Sequence, residues 1–501
     1  VAVETAEPGL VLRSMQGRGV LAATILGSGM ASLDGTVVNV ALPRIGSDLH
    51  AGLTALQWTV NAYTLTLAGL LLLGGSLGDR LGRRRIFVLG VVWFTAASVG
   101  CAIAPEAMTL IAMRALQGVG GALLTPGSLA ILEAVFRRDD RAPAVGAWSG
   151  LGGVATALGP VLGGVLVGVA PWGWRLVFVI NVPIAAAVVY LSARYIPETR
   201  DEQAKGPLDI AGVVLAAAGL AAFVYALTEG PRRGWSAALV LCLLAGIGLL
   251  IGFVVIEARS SHPMMPLSLF RSRDFAGANI VTLVVYAALS GAFFLVPVVL
   301  QRLAGFSPVA AGSSLLPVTA MMLVFSARMG RVAQRVGPRV PMTVGPLVAS
   351  VGLAMLVRVG AHTSYVSDLL PAVLVFGLGL SITVAPLTAT VLAAAPPHQV
   401  GMASAVNNDV ARAAGLLAVA VLPGLAGISP HAYDDPHLLA VGFHHAVLIA
   451  AGLCASGGLL SFALIGRQPK LAVQDACREA RKADPAALRY HCGICTPNAR
   501  P

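Results

Sequence analysis

Gly75-Ser-Leu-Gly-Asp-Arg-Leu-Gly-Arg-Arg-Arg85 stands between two long apolar runs. Far downstream the chain repeats it in degenerate form. Gly75-x-x-Gly78-Asp79-Arg80-Leu81-Gly82-Arg83-Arg84 corresponds, at the same spacing, to Gly330-x-x-Ala333-Gln334-Arg335-Val336-Gly337-Pro338-Arg339. A basic hairpin punctuated by glycine, set between apolar segments and present once in each half, predicts a duplicated membrane transporter rather than a soluble enzyme.

Composition agrees. Of 501 residues, 57% are hydrophobic and 11% charged, with a mean hydropathy of +0.82. A soluble domain carries about 25% charged residues, so this chain cannot coat a water-facing surface of its size. Its apolar blocks approach the ~20 residues that cross ~30 Å of hydrocarbon as a helix. The chain therefore reads as an all-α polytopic membrane protein in contact with a lipid bilayer. The net charge of +11 is spread loop by loop, as a topological signal is, with no basic domain to hold nucleic acid.

Fourteen spans are predicted, at about 19–42, 56–77, 86–104, 107–131, 143–168, 173–195, 208–228, 236–257, 274–300, 308–328, 340–359, 368–392, 400–425 and 439–466. Residues 1–18 carry Arg13 and Arg18 and lead into the first span with no cleavage signal, so that span is expected to be retained. Loops on the side of the 75–85 hairpin hold 17 Lys and Arg; the opposite side holds six, Arg44, Arg175, Arg232, Arg233, Arg302 and Arg358. The excess places the hairpin and both termini in the cytoplasm, and the protein in the cytoplasmic membrane. The hairpin joins spans 2 and 3 and its copy joins spans 10 and 11. Duplicated six-helix halves alone would offset them by six spans; spans 7 and 8 are thus read as an insertion. The expected organisation is a cytoplasmic N-terminus at 1–18, a six-helix bundle at 19–195, a linker with the inserted pair at 196–273, a second six-helix bundle at 274–466 and a cytoplasmic tail at 467–501.

Ionisable residues inside spans are costly and mark function. Asp34 lies in span 1, Arg114 in span 4, Asp409 and Arg412 in span 13. Asp34 precedes the exit of its span near Leu42, and Arg114 follows the entry of its span near Ala107. At ~1.5 Å per residue both lie roughly 10–12 Å below the same surface, where they can meet. A carboxylate that alternates between protonation and pairing with a cation suits proton coupling; a fixed ion pair that sets helix registry is the competing reading. In span 5, Gly159-Pro160 and Gly163-Gly164 predict a close-packed, kinked hinge. In the hairpin, Gly75, Gly78 and Gly82 permit the turn, while Asp79 caps the next helix or pairs with Arg80, Arg83 or Arg84 to make a conformational latch. The tail offers Cys477, His491, Cys492 and Cys495, whose spacing fits no common zinc site. With no Walker-type loop either, neither a metal nor another cofactor is expected.

Together these stretches resemble the major facilitator superfamily, in its fourteen-span drug/proton antiporter branch, over nearly all of 15–467. Gly75–Arg85 resembles the signature of loop 2–3. Leu33-Asp34-Gly35-Thr36-Val37-Val38-Asn39-Val40-Ala41-Leu42-Pro43 resembles the branch's first-span motif, and Arg114-Ala-Leu-Gln117-Gly118-Val-Gly120 its fourth-span motif. Gly159-Pro160 with Gly163-Gly164 resembles the antiporter motif. Trp174-Arg175, Phe178, Asn181-Val-Pro183 and the Glu257–Arg271 loop, with His262-Pro263, are similar to the same branch. The chain departs from the pattern at Ala155, where the fifth-span motif has glycine, and at Gln334, where the second hairpin copy loses its aspartate.

The resemblance implies a major facilitator fold of two six-helix bundles plus two inserted helices. It also implies export of small amphipathic organic compounds, antibiotics among them, in exchange for protons, by a monomer. In that scheme Asp34 is protonated, Arg114 tunes it and Arg412 lines the cavity. An exporter dedicated to one endogenous metabolite and a non-transporting membrane sensor are the alternatives.

Overall fold

The structure is a computed structural model, described here for residues 9–201, 209–260, 265–396 and 399–466. The cysteines and histidine of the tail, and His262 and Pro263, lie outside these residues.

Among the described residues, fourteen helices are long and apolar enough to cross a membrane. They are α1 (Met15–Asp48), α2 (Leu53–Leu81), α3 (Arg83–Ala102), α4 (Ala107–Val135), α5 (Arg138–Gly168), α6 (Gly173–Tyr195) and α7 (Ile210–Arg233). The rest are α8 (Ala237–Arg259), α9 (Arg273–Arg302), α10 (Pro308–Val336), α11 (Arg339–Arg358), α12 (Tyr365–Ala393), α13 (Val400–Leu425) and α14 (Pro436–Leu464). The protein is a multi-pass, all-helical membrane protein.

Helices α1 to α6 pack among themselves, with α4 against α2 and α3, and α1 against α5 and α6. Helices α9 to α14 do the same, with α12 against α10 and α11, and α14 against α9 and α11. The inserted helix α7 packs on α8, on α2 and on α13, so it touches both halves. Only 11% of the most apolar stretch of α8 is buried, which puts that helix on the rim with its Leu, Ile and Val side chains outward.

Glycine contacts display the duplication. Gly120 of α4 lies against the backbone of Phe94 in α3, and Gly379 of α12 lies against the backbone of Ala349 in α11. Gly118 closes on Tyr63 and Thr66 of α2, and Gly377 closes on Val318 and Met321 of α10. Gly90 meets Gly120 and Leu124, and Gly345 meets Gly379 and Thr383. Without an aqueous driving force between helices in lipid, such close backbone approach is a main source of packing energy.

Two spans are interrupted where proline dictates. Expected as continuous over 173–195, α6 holds a turn Gly173–Arg175, a short helix Leu176–Val179 and a longer one Asn181–Tyr195. Pro183 has no N–H for the Val179 carbonyl, so the ladder breaks there. In α10 the pieces are Pro308–Ser313 and Leu316–Val336, with Pro317 near the start of the second, a position that tolerates proline because its N–H would be unpaired anyway.

The hairpin corrects the sequence reading. Most of it is helix: α2 continues to Leu81, and the turn itself is Gly82, whose φ of 114° suits glycine. Its N–H closes on the Gly78 carbonyl at 3.1 Å. The second copy repeats this at Gly337, with φ 87° and a 2.9 Å bond to the Ala333 carbonyl. Nor does Asp79 cap α3, for Gly82 occupies that position without a side-chain cap. Asp79 instead pairs with Arg83 one turn on, Nε to Oδ1 at 2.9 Å.

Candidate functional site

The end of the bundle that carries Gly75–Arg85 is called the hairpin end, and the opposite one the far end. Asp34 is fully buried in α1 and Arg114 is 1% exposed in α4. The two meet, Nη1 to Oδ2 at 2.5 Å. The same Nη1 donates to Gln117 Oε1 at 2.6 Å, and Arg114 Nε donates to the Thr59 carbonyl at 3.0 Å. Gln117, one turn after Arg114, turns its amide N–H back to Asp34 Oδ1 at 2.9 Å and to Ser98 Oγ at 2.7 Å. Asn181, at the break in α6, donates to Asp34 Oδ1 and to Ser98 Oγ, each at 3.3 Å. The Arg114 guanidinium stacks 4.3 Å above the Tyr63 ring and 5.9 Å from that of Phe178. Five helices therefore converge on one carboxylate, which accepts from a guanidinium and two amides. Charge-assisted bonds of this kind, held away from water, are about twice as strong as neutral ones.

Sequence spacing located Asp34 and Arg114 but not their neighbours. Gln117 was within reach of such reasoning, because three residues after Arg114 is the same helix face. Ser98, Tyr63 and Asn181 come from other helices, and no spacing rule says which faces turn toward α1. The Asn181 carbonyl oxygen is itself buried without a partner.

The other residues singled out fall elsewhere. In α5, Gly159 rests on Thr36 and Leu33 of α1, Gly163 rests on Val37, and Gly164 touches the backbone of Pro308 and Val309 in α10. Gly312 of α10 in turn meets the Pro160 carbonyl. Nearer the hairpin end, Gly146, Gly150, Gly152 and Gly153 of α5 have open space where a side chain would go. Two further bonds join the halves at the far end: Gln57 Nε2 to the Val419 carbonyl at 2.6 Å, and Gln301 Nε2 to the Val40 carbonyl at 3.0 Å.

The hairpin is anchored to the segment after α6. Arg83 N–H donates to the Thr199 carbonyl at 2.9 Å, Asp201 N–H to the Asp79 carbonyl at 2.8 Å and Arg84 N–H to Glu198 Oε1 at 3.1 Å. Arg84 and Arg85 also stand 3.7 and 3.8 Å from Glu198 Oε2. Gly75 faces Pro126 of α4.

Arg412 sits apart from Asp34, on α13 in the other half. Among the described residues it forms no ion pair or hydrogen bond. No group of three or more metal-ligating side chains occurs among the described residues.

A family model described as Major Facilitator Superfamily matches residues 24–420. The chain is 35% identical to "Multidrug resistance protein Stp" of Mycobacterium tuberculosis (strain ATCC 25618 / H37Rv), over 83% of this chain and 77% of that protein. It is 34% identical to the "Tetracenomycin C resistance and export protein" of Streptomyces glaucescens, over 86% and 80%. Identity is again 34% with the "Puromycin resistance protein pur8" of Streptomyces alboniger, over 93% and 94%. Among solved structures, the fold is similar to a bacterial homolog of the human lysosomal transporter Spinster in an inward-facing, unoccupied conformation. That likeness has a TM-score of 0.64 at 18% identity, covering 90% of this chain and 97% of that one. Fourteen apolar helices in a duplicated arrangement, a buried ion pair and these relatives agree: the chain is a membrane transporter, not an enzyme, and belongs to the Major Facilitator Superfamily.

Proposed function

We propose that the protein is a proton-driven exporter, a drug/proton antiporter that moves small amphipathic organic compounds such as antibiotics across the cytoplasmic membrane. It works as a monomer with both termini and the hairpin in the cytoplasm. The single observation that carries the proton-coupling reading is the fully buried Asp34, held by Arg114, Gln117 and Asn181.

The chemistry follows from that arrangement. Ionised, Asp34 satisfies the Arg114 guanidinium and two amide donors. Protonated, it gives up its negative charge, and Arg114 is left as an uncompensated buried cation. Removing one partner of a buried pair costs about 3–5 kcal/mol, so proton uptake and a rearrangement of α1 against α4 are coupled. The halves meet at the far end through Gln57, Gln301, the contact of Gly164 with Pro308 and that of Gly312 with Pro160, while α5 has free space toward the hairpin end. We read this as the state open to the cytoplasm, with substrate entering between 19–195 and 274–466 and α7 of the inserted pair riding on their seam. Rocking of the halves about Gly159, Pro160, Gly163 and Gly164 exposes the same cavity to the outside. The Asp79–Arg83 hairpin and its anchor at 196–201 steady the cytoplasmic ends of α2 and α3.

Relatives named for resistance to puromycin, methylenomycin A and tetracenomycin C support the drug-efflux class. They also favour a second reading, an exporter dedicated to one antibiotic. A susceptibility panel on cells expressing the chain separates the two: protection against many unrelated compounds supports a multidrug exporter, and protection against one supports the dedicated pump. Replacing Asp34 with Asn is expected to abolish energised efflux of puromycin or ethidium at normal membrane abundance. Efflux at the wild-type rate would remove Asp34 from coupling.

A further inference from the structure

The seam between α2 and α13, where the halves touch, holds polar groups that the Asp34 centre does not use. From α13 comes Asp409, whose Oδ1 is buried with no hydrogen-bond partner. One turn further along α13 is Arg412, without an ion pair among the described residues, and it is the charge that acts on Asp409. From α2 comes Asn61, fully buried with both amide atoms unpartnered. It lies one turn from Gln57, which bonds the α13 backbone. Buried polar atoms are normally satisfied, so several orphans on one seam demand an explanation. Their sources in both halves point to groups that are satisfied in another arrangement of α2 and α13.

Tyr63 joins this seam to the first site. Arg114 stacks on its ring, and its hydroxyl donates to the Ala31 carbonyl at 3.2 Å. Each half thus carries one intramembrane carboxylate–arginine couple, Asp34 with Arg114 and Asp409 with Arg412. The first is closed. The second is open, though its members lie three residues apart on one helix face, a spacing that permits pairing. Of the other helices on α13, α7 has Glu229, committed to Arg232 and Arg233. Helix α9 has Tyr286, α12 has Tyr365 and Asp368 in its first turn, and α14 has His444, bonded to the Val359 carbonyl, beside His445.

We propose that Asp409 is a second protonation site of the transport cycle, a carboxyl that takes a proton from water and returns it while Arg412 reports its charge across the seam. Ionised Asp409 neutralises Arg412. Once protonated, Asp409 leaves Arg412 an uncompensated cation at the seam, which favours a rearrangement of α13 against α2. The step is a reversible proton transfer between solvent and Asp409 Oδ1 or Oδ2. This inference rests on proton coupling at Asp34 proposed above.

The test is an infrared pH titration of the purified full chain, read in the carboxyl stretching region and compared with Asp34→Asn, Asp409→Asn and Asp409→Glu. Wild type is expected to lose two protonated-carboxyl components on alkalinisation. Asp409→Asn should remove one and keep the other, Asp34→Asn should do the converse, and Asp409→Glu should restore a shifted component. Asp409→Asn should also narrow the pH range over which vesicles expel ethidium, which Asp409→Glu recovers. Both components persisting in Asp409→Asn, with an unchanged pH profile, overturns the proposal while leaving Asp34 intact. Loss of neither component in Asp34→Asn refutes the first site instead. Should Asp409→Asn fail to reach the membrane, the Asp409→Glu spectrum decides: an unshifted component there also refutes the role.

Discussion

The two halves share one packing scheme and differ in what fills it. Six residues before Gly120 stands Arg114; six before Gly379, its structural counterpart, stands Val373. Gln117 precedes Gly118 where Phe376 precedes Gly377, and Tyr63 faces Gly118 where Val318 faces Gly377. The corresponding C-terminal positions are apolar, with Val318, Val373 and Phe376 all buried. Between helices of the second bundle, Asn407 makes a neutral bridge, donating to Asn279 Oδ1 at 3.1 Å and to Thr282 Oγ1 at 2.8 Å. Backbone geometry has therefore survived duplication, while the Asp34–Arg114 pair has no counterpart at the matching positions of the second copy. A buried ion pair is weak evidence for stability, because apolar residues of similar volume do as well or better. The second half demonstrates that substitution within the same molecule. The Asp34–Arg114 pair is thus best explained by function.

That contrast can be broken at several points. The largest effect is expected from Arg114→Ala, which strands a buried carboxylate: stability should fall by about 3–5 kcal/mol and puromycin efflux should cease, whereas Val373→Ala should leave efflux in place. Thermal unfolding in detergent, with efflux from cells, measures both. Next, Gly120→Ala and Gly379→Ala press a methyl group onto the backbone of α3 and α11. Each should destabilise by about 1–3 kcal/mol; a tolerated change in one half only would show that the shared packing is not shared energetically. Gln117→Ala removes a donor from Asp34 and should cost about 1–3 kcal/mol. It should also displace the pH profile of efflux, and an unmoved profile would make Gln117 a spectator.

Smaller effects belong to the neutral core and to the hairpins. Asn407→Ala should cost roughly 0.6 kcal/mol, the average for interhelical bonds in a membrane, with the pH profile unchanged. Asp79→Asn removes a half-exposed pair worth about 0.3–0.5 kcal/mol. The altered chain should fold normally, and a loss of stability well beyond that range would mean that the hairpin pair bears on the bundle itself.

Much of this was legible in the sequence, and the limits have physical causes. Apolar length revealed fourteen spans, and residue counts to the span ends put Asp34 and Arg114 at one depth, because a helix converts sequence distance into height. The hairpin was read as loop because charge in a membrane protein marks the water. Yet its arginines are spaced along a helix end, and the backbone ladder runs through to Gly82. What height cannot supply is azimuth. Asn181 reaches Asp34, and Ser98 reaches Gln117, only because α6 and α3 present particular faces, which are set by packing across the bundle. The orphaned Asp409 looked like any intramembrane acid until the absence of a partner for its Oδ1 was visible.

Accumulation of puromycin in inverted membrane vesicles under an imposed proton gradient tests the central claim most directly. With equal protein in the membrane, wild type is expected to concentrate puromycin and Asp34→Asn only to let it equilibrate. Accumulation by Asp34→Asn to the wild-type level would contradict the account.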